Sequence, residues 1–508
     1  MNTIAEVLGE SARKYGDKTA LIFKSMPFSY LEMDLLSNKL ANSLRDMGVQ
    51  KGDRVSLYSQ NSWEWLISYY AAAKIGAIVN PVNVMLTAEE LLFVLDDCGA
   101  KVILTSPEKM ETVLGISKEA KTLKHVVVYG DETASPAVSF NRLLEKGADR
   151  LTIARSEPDD VSTIGYTSGT TGHPKGAMLT HRGVMINSRL TANMHMKDQD
   201  EVVISALPTA HVYGNVVMNG TFITGGTLVL MERFNEEEFF DAIMTHKATM
   251  IEGVPSMYMM LLSHPGIDRC NMESLRKCSV GGQTISVKVM ADVEERFGCP
   301  LFELWGMTEI SGLGTTHPFL GENRHGSIGI ALPYCETRIV DAENLKTVLG
   351  PDQPGELMIK GPIVMKGYYG NEKGTKETIE PDGWLHTGDI ARMDGDGYVY
   401  VVDRLKDMIL TAGYNVYPAE IERVLMLHPS AAMAAVGAIA DEVKGELAKA
   451  YIVLRNGATC TEEEIIAFCR QHLAAYKVPR QVAFVGDLPK TSTGKIMRRM
   501  LHSLDTAK

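Results

Sequence analysis

No stretch of this 508-residue chain is long and apolar enough for a membrane-spanning helix; the nearest, residues 216–231, is broken by glycine and threonine. The first ten residues lack the basic-then-apolar pattern of a secretory leader, and a cytoplasmic location is the expectation. Cysteine is sparse: seven residues, odd in number and without a C-x-x-C pair, fit buried reduced thiols rather than a disulfide framework. The thirteen histidines include no H-E-x-x-H, which argues against a zinc centre. Positive charge is in deficit, with a formal net charge of −12, so no basic excess exists to displace counterions from nucleic acid. An anionic ligand must then be held by local donors against the overall field. Also missing are an internal repeat, a low-complexity tract and any clear Ser/His/Asp or Cys/His nucleophile arrangement.

What remains is an ordinary globular composition, 45% hydrophobic and 22% charged, over a length that needs several subdomains. In the first 150 residues helical periodicity (28–47, 63–75, 88–97) alternates with short β-branched runs (54–59, 76–81, 101–105). That is the pattern of a mostly parallel, covered sheet. It resumes with strands at 202–207 and 226–231 and a helix at 236–245. From about Ile328, short runs broken by Gly, Pro and Asp (337–340, 355–359, 397–402) predict antiparallel strands, in a sheet or a small barrel. After Asp403 the texture turns to helix (419–427), strand, helix (462–473) and strand. The expected fold class is α/β: a large N-terminal region of mostly parallel α/β subdomains with a small antiparallel β subdomain, then a small α+β C-terminal domain. The boundary is set at the change of texture, giving domains 1–403 and 404–508.

The most informative stretch is Tyr166-Thr167-Ser168-Gly169-Thr170-Thr171-Gly172-His173-Pro174-Lys175-Gly176, which follows an apolar strand-like run. Its glycines allow close approach of backbone to a ligand, and successive N–H groups in such a turn form an anion nest. Ser168, Thr170 and Thr171 add hydroxyl donors, and Lys175 adds a compact cation suited to phosphate. The spacing is neither G-x-x-x-x-G-K-[ST] nor G-x-G-x-x-G. A plain surface turn would account for the glycines but not for so many donors beside a lysine.

Four further clusters stand along the chain, each with a bland alternative. Trp305-Gly306-Met307-Thr308-Glu309 follows a strand-like run and could present a carboxylate to Mg²⁺ on phosphates, or an exposed loop glutamate. His386-Thr387-Gly388-Asp389 could offer Asp389 to a ribose diol, or only a turn-forming Asx. Asp403-Arg404-Leu405-Lys406-Asp407 is a salt-bridged surface turn or a hinge. Pro489-Lys490-Thr491-Ser492-Thr493-Gly494-Lys495 is a second Gly/hydroxyl/Lys loop, and the apolar residues around it favour a folded segment over a basic tail.

Taken together and in this order, the clusters resemble the adenylate-forming superfamily of acyl-CoA synthetases, nonribosomal peptide adenylation domains and luciferase. The resemblance spans nearly the whole chain. It implies that Thr167, Ser168, Gly169, Thr170, Thr171, Gly172 and Lys175 wrap the ATP phosphates, that Thr308 and Glu309 lie at the α-phosphate and Mg²⁺, and that Trp305, Gly306 and Met307 also bind cofactor. Asp389 and Arg404 would hold the ribose, Lys406 would be the hinge and Lys495 the catalytic lysine. Gly281-Gly282-Gln283 looks like the adenine-side loop, although the family's third residue is usually small. His211 matches the histidine beside the acyl site, with Ala210 where an aromatic residue is more usual.

The implied reaction activates a carboxylic acid as acyl-AMP and then passes the acyl group to coenzyme A. Glu309 with Mg²⁺ and Lys495 would offset the repulsion of two anions. In the second half the C-terminal domain rotates, and Gly413 and Tyr414 come to line the thiol tunnel; Gly413 as an ordinary turn glycine is the alternative. Acyl-pocket candidates are His211, Tyr213, Asn215, Met257, Gly306 and Gly312. The stretches that hold them contain no Lys or Arg, which disfavours dicarboxylates. A medium- or long-chain fatty acid is the first expectation, with Met257, Met259 and Met260 as an adaptable wall or plain core. An aryl or hydroxycinnamic acid, with Tyr213 or Asn215 on a ring hydroxyl, is the second. Loading of a carrier protein, a non-catalytic nucleotide sensor and luciferase-like oxidation stand further off, and homo-oligomerisation is left open.

Overall fold

The computed structural model describes residues 1–131, 134–167, 174–411, 414–441, 444–455, 457–490 and 496–505, apart from the side chains of Lys406, Asn415 and Arg499. The chain forms two compact units. The first comprises Met1–His325, Gly329–Glu336 and Lys360–Leu385; the second comprises Gly326–Ile328, Thr337–Ile359 and His386–Lys508.

The first unit is built on two seven-stranded sheets. One runs Val138–Ser139, His125–Val128, Ala100–Thr105, Arg54–Tyr58, Ile78–Pro81, Val161–Thr167 and Lys175–Thr180 from edge to edge. Its pairs are parallel except the last, where Val161–Thr167 and Lys175–Thr180 form an antiparallel hairpin. The other runs Leu301–Glu303, Lys277–Val280, Met250–Gly253, Val202–Ser205, Thr227–Leu230, Thr19–Phe23 and Met26–Ser29, again with one antiparallel edge pair. Side chains alternate between the two faces of each strand. Leu21 and Phe23 enter a core shared by both sheets while Ile22 packs behind; Val102 and Leu104 enter the same core while Ile103 faces away. Burial on both faces is why these strands read as continuous apolar runs.

Helices Tyr30–Asp46, Trp63–Lys74, His181–Met194 and Val212–Thr224 contribute to the shared core. Local chemistry sets their ends. Ser29 and Glu32 form a capping box ahead of Tyr30–Asp46, and Thr87 with Glu90 does the same for Ala88–Cys98. The apolar run 216–231 resolves into the end of one helix, a turn at Gly225 and the strand Thr227–Leu230. Gly225 has φ +89°, and an added Cβ would meet the Tyr15 ring at 2.1 Å, so that turn requires glycine. Among the described residues no helix is long and apolar enough to cross a membrane.

The second unit holds a four-stranded sheet, in the order Glu336–Val340, Gly355–Lys360, Leu385–Met393 and Val399–Arg404. It is an open sheet and not the barrel the strand spacing also allowed. Beyond it, Tyr414–Val416, Ile409–Thr411, Gly445–Leu454 and Ala431–Asp441 form a sheet onto which Gln481–Phe484 adds in parallel. Helices Pro418–Leu425 and Glu462–His472 cover it over a core of Ile421, Leu425, Val436, Ile452 and Ile465. The α/β class, with its parallel sheets, small antiparallel sheet and α+β C-terminal region, is therefore the observed one.

Candidate active site

The antiparallel hairpin at the edge of the first sheet brings Thr167 and Lys175 opposite each other. Ser168, Gly169, Thr170, Thr171 and Gly172, at its tip, lie outside the described residues. The Lys175 ammonium stands 5.2 Å from the centroid of the Tyr368 ring, a cation–π contact. The Tyr368 hydroxyl in turn donates to Glu309 Oε1 at 2.9 Å. Burial, and then the charge of Glu309, push the Tyr368 pKa up, so the phenol keeps its proton and remains a donor.

Tyr368 reaches this position because residues 366–369 run alongside the lysine strand. Met178 N–H donates to Gly367 O, Lys366 N–H to Met178 O and Tyr369 N–H to Gly176 O, at 2.8–2.9 Å. Glu309 sits in a short 3-10 turn, Thr308–Ile310, with its own carbonyl accepting from Met365 N–H at 2.8 Å. Thr308 packs on Gly165, where an added Cβ would lie 2.9 Å from the threonine methyl. Among the described residues no group of three or more His, Cys, Asp or Glu side chains could hold a metal ion. A single buried carboxylate, oriented by a phenol, fits a hard cation that takes its other ligands from phosphate and water.

Gly281 and Gly282 follow the strand Lys277–Val280, at the end of the sheet where parallel α/β folds bind ligands. A Cβ on Gly281 would meet Leu304 Cδ1 at 2.2 Å, Gly282 has φ +88°, and Gln283 beside them is half-buried. Trp305 is buried; Gly306 and Met307 pair with Leu313 and Gly312 on the neighbouring strand. His211 is exposed and caps the helix Val212–Thr224, its Nδ1 accepting from Tyr213 N–H at 3.2 Å. Asn215 Oδ1 accepts from Tyr69 and Asn219. On helix Pro255–Ser263, Met257 is buried while Met259 and Met260 are exposed.

Tyr213 belongs to a polar network that sequence reasoning missed. Its hydroxyl meets Glu252 Oε2 at 3.0 Å and Ser279 Oγ at 2.9 Å, and Ser279 also donates to Glu252 Oε2. Glu252 Oε1 pairs with Lys197 Nζ at 2.5 Å, both side chains being essentially inaccessible. Burial alone would raise the Glu252 pKa, but Lys197 and its neighbours outweigh it and hold it below the ordinary value. The residue lies at the C-terminal end of strand Met250–Gly253, and that position was the available clue. Lys197, far off in sequence, offered none.

In the second unit Asp389 and Arg404 are cross-strand partners, with Arg404 Nε 3.2 Å from Asp389 Oδ1. Glu356, also not anticipated, anchors the turn before Asp389. It pairs with His386 at 2.8 Å and accepts from Gly388 N–H at 3.0 Å. Lys406 belongs to the turn Leu405–Asp407, and the exposed Tyr414 ring stacks on Tyr476 at 4.7 Å. Gly413 and Lys495 lie outside the described residues.

The family description "AMP-binding enzyme" matches residues 8–369, and "AMP-binding enzyme C-terminal domain" matches residues 420–495. A long-chain-fatty-acid–CoA ligase of Bacillus subtilis (strain 168) is 35% identical, covering 99% of this chain and 95% of the relative. A feruloyl-CoA synthase of Amycolatopsis sp is also 35% identical, covering 96% of each. Among solved structures, the o-succinylbenzoate CoA synthetase MenE of Bacillus subtilis, in complex with the acyl-adenylate intermediate OSB-AMP, superposes with a TM-score of 0.86. Its identity is 31%, covering 98% of this chain and 97% of that one.

Proposed function

The chain belongs to the AMP-binding enzyme family, the adenylate-forming acyl-CoA ligases, and on that footing we propose that it joins a carboxylic acid to coenzyme A at the expense of ATP. The acid's oxygen attacks the α-phosphorus and the bond to pyrophosphate breaks, giving acyl-AMP. The thiol sulfur of coenzyme A then attacks the activated carbonyl, the thiol proton is lost and AMP leaves. The observation that carries this reading is the Lys175–Tyr368–Glu309 chain beside a glycine- and hydroxyl-rich hairpin. Lys175 and the hairpin would hold phosphate oxygens, Thr308 the α-phosphate, and Glu309 the cation. Bound there, Mg²⁺ would neutralise developing charge on the phosphates.

Asp389 and Arg404 are proposed to take the ribose hydroxyls, Gly281 to Gln283 the adenine, Lys495 the transition-state charge and Lys406 the pivot of a mobile domain, 404–508. Gly413 and Tyr414 would line the thiol path. These roles rest on the matching of motifs.

A medium- or long-chain fatty acid is the proposed substrate. Lys197, the cation in the network of Tyr213 and Ser279, is already neutralised by Glu252 and awaits no second carboxylate. One observation favours an aryl or hydroxycinnamic acid as a second reading. Tyr213 and Ser279 can both spend their protons on Glu252, which leaves their oxygens as acceptors suited to a phenolic donor. Acid-dependent exchange between pyrophosphate and ATP, run with fatty acids of graded length beside benzoates and cinnamates, tests both. The expected result is exchange with one of these classes and a thioester on adding coenzyme A. A thioester formed only on a carrier's phosphopantetheine would replace the acceptor, and no exchange with any acid would remove the enzyme reading.

A further inference from the structure

Arg498 stands three residues beyond Lys495, and its guanidinium is shared among three carboxylates. Nε and Nη2 donate to Glu422 Oε1 and Oε2 at 3.0 and 2.6 Å, a two-pronged contact. Nη1 donates to Asp403 Oδ1 at 3.0 Å and to Asp407 Oδ2 at 3.1 Å. The three acceptors come from separate pieces of chain. Asp403 is in strand Val399–Arg404, Asp407 ends the turn Leu405–Asp407, and Glu422 is on helix Pro418–Leu425. Asp403 and Asp407 therefore flank Lys406, the expected pivot.

Asp403 is the more constrained of the two. Its side chain is 0% exposed, and it also accepts from Arg404 N–H and from Ala419 N–H, both at 2.7 Å. Ala419 lies in the first turn of the helix that carries Glu422, where the free amide ends favour a carboxylate. Burial raises the Asp403 pKa, and Arg498 is the first of the groups that oppose the rise. A charge so placed depends on its cation, because removing one partner of a buried pair leaves the other unmatched. A lysine could supply the charge but not the fork that serves three acceptors together.

We propose that Arg498 is a positioning residue: a latch that ties the lysine-bearing tail to the strand before the hinge and must let go for the chain to pass from adenylation to thioester formation. The inference rests on the two-step ligase reading above. Rotation about residues 404–406 carries Asp407, Glu422 and Arg498 together and leaves Asp403 behind. The contacts that break are those made to Asp403, by Arg498 Nη1 and by Ala419 N–H, while the Glu422 fork travels intact.

The test compares Asp403→Asn, Arg498→Lys and Glu422→Gln in the full chain by hydrogen exchange of residues 404–411 and by the two half-reactions assayed separately. Asn keeps an oxygen for Ala419 and should fold. Asp403→Asn and Arg498→Lys are expected to speed exchange in 404–411 by about fivefold or more, as loss of a charge-assisted hydrogen bond implies. They are also expected to change the ratio of thioester formation from supplied acyl-adenylate to acid-dependent pyrophosphate exchange. Glu422→Gln is expected to lower the unfolding midpoint and leave that ratio within about twofold. Unaltered hydrogen exchange in Asp403→Asn overturns the latch, and so does a fall of both half-reactions in step. A wild-type chain with no acid-dependent exchange overturns the ligase reading instead.

Discussion

The Tyr368 hydroxyl donates a 2.9 Å hydrogen bond to Oε1 of Glu309, and the same ring lies 5.2 Å from the Lys175 ammonium. Tyr368→Phe keeps the ring under the lysine and removes only the donor. The expected outcome is about a tenfold fall in kcat for acid-dependent pyrophosphate exchange, the size of one lost hydrogen bond to a charged group. Half-saturating Mg²⁺ should rise as well. Steady-state kinetics against Mg²⁺ concentration check this, with an unchanged unfolding midpoint excluding a folding defect.

Lys197→Met leaves Glu252 buried without its ammonium and should destabilise the protein by about 3–5 kcal/mol, read from denaturant unfolding. Adding Glu252→Gln in the same chain should restore much of that loss. The charge is then gone, while Tyr213 and Ser279 still find an acceptor.

Burial lowers the pKa of His195 from 6.5 to about 3, and that of His181 from 6.5 to about 4. Between these values and 6.5 the unfolded chain binds protons that the folded chain does not. Both groups therefore favour the folded state above pH 6.5, and that contribution is lost as the pH falls toward 4 and 3. The slope is up to about 1.4 kcal/mol per pH unit for each histidine. His195→Gln is expected to flatten the acid limb of the stability profile, as followed by unfolding midpoints across that range.

Lys495→Ala should abolish acyl-adenylate formation and spare thioester formation from supplied acyl-adenylate. Gly413→Leu should do the reverse, since a side chain there would obstruct the thiol path. Separate assays of the two half-reactions decide each role, and equal loss of both halves in either variant would remove it.

Much of the fold was legible because both sheets are buried on both faces, so that strands such as Ala100–Thr105 announce themselves as apolar runs between helices. The helix Val212–Thr224 was harder: its glycines and threonines, buried in the shared core, look like breaks when read without their neighbours. Thr308, Glu309, Asp389 and Arg404 were singled out by their short motifs, and the order of those motifs along the chain gave them their proposed roles. Tyr368 was not, because the chain reaches Glu309 only by returning some sixty residues later to run beside residues 176–178. Lys197 and Arg498 were missed as partners for a related reason. Their acceptors, Glu252 in one case and Asp403, Asp407 and Glu422 in the other, are assembled by tertiary packing, and no spacing along the chain encodes them.

The three backbone hydrogen bonds between residues 176–178 and 366–369 have a mechanical consequence. They splice the strand that carries Lys175 to the segment that carries Tyr368, and Tyr368 grips Glu309. On the proposed ligase reading, a displacement of the hairpin on taking hold of an anion would be passed through these contacts to the carboxylate. The segments bearing the two opposite charges are coupled by main-chain hydrogen bonds, Met365 N–H to Glu309 O among them, as two arms of one clasp.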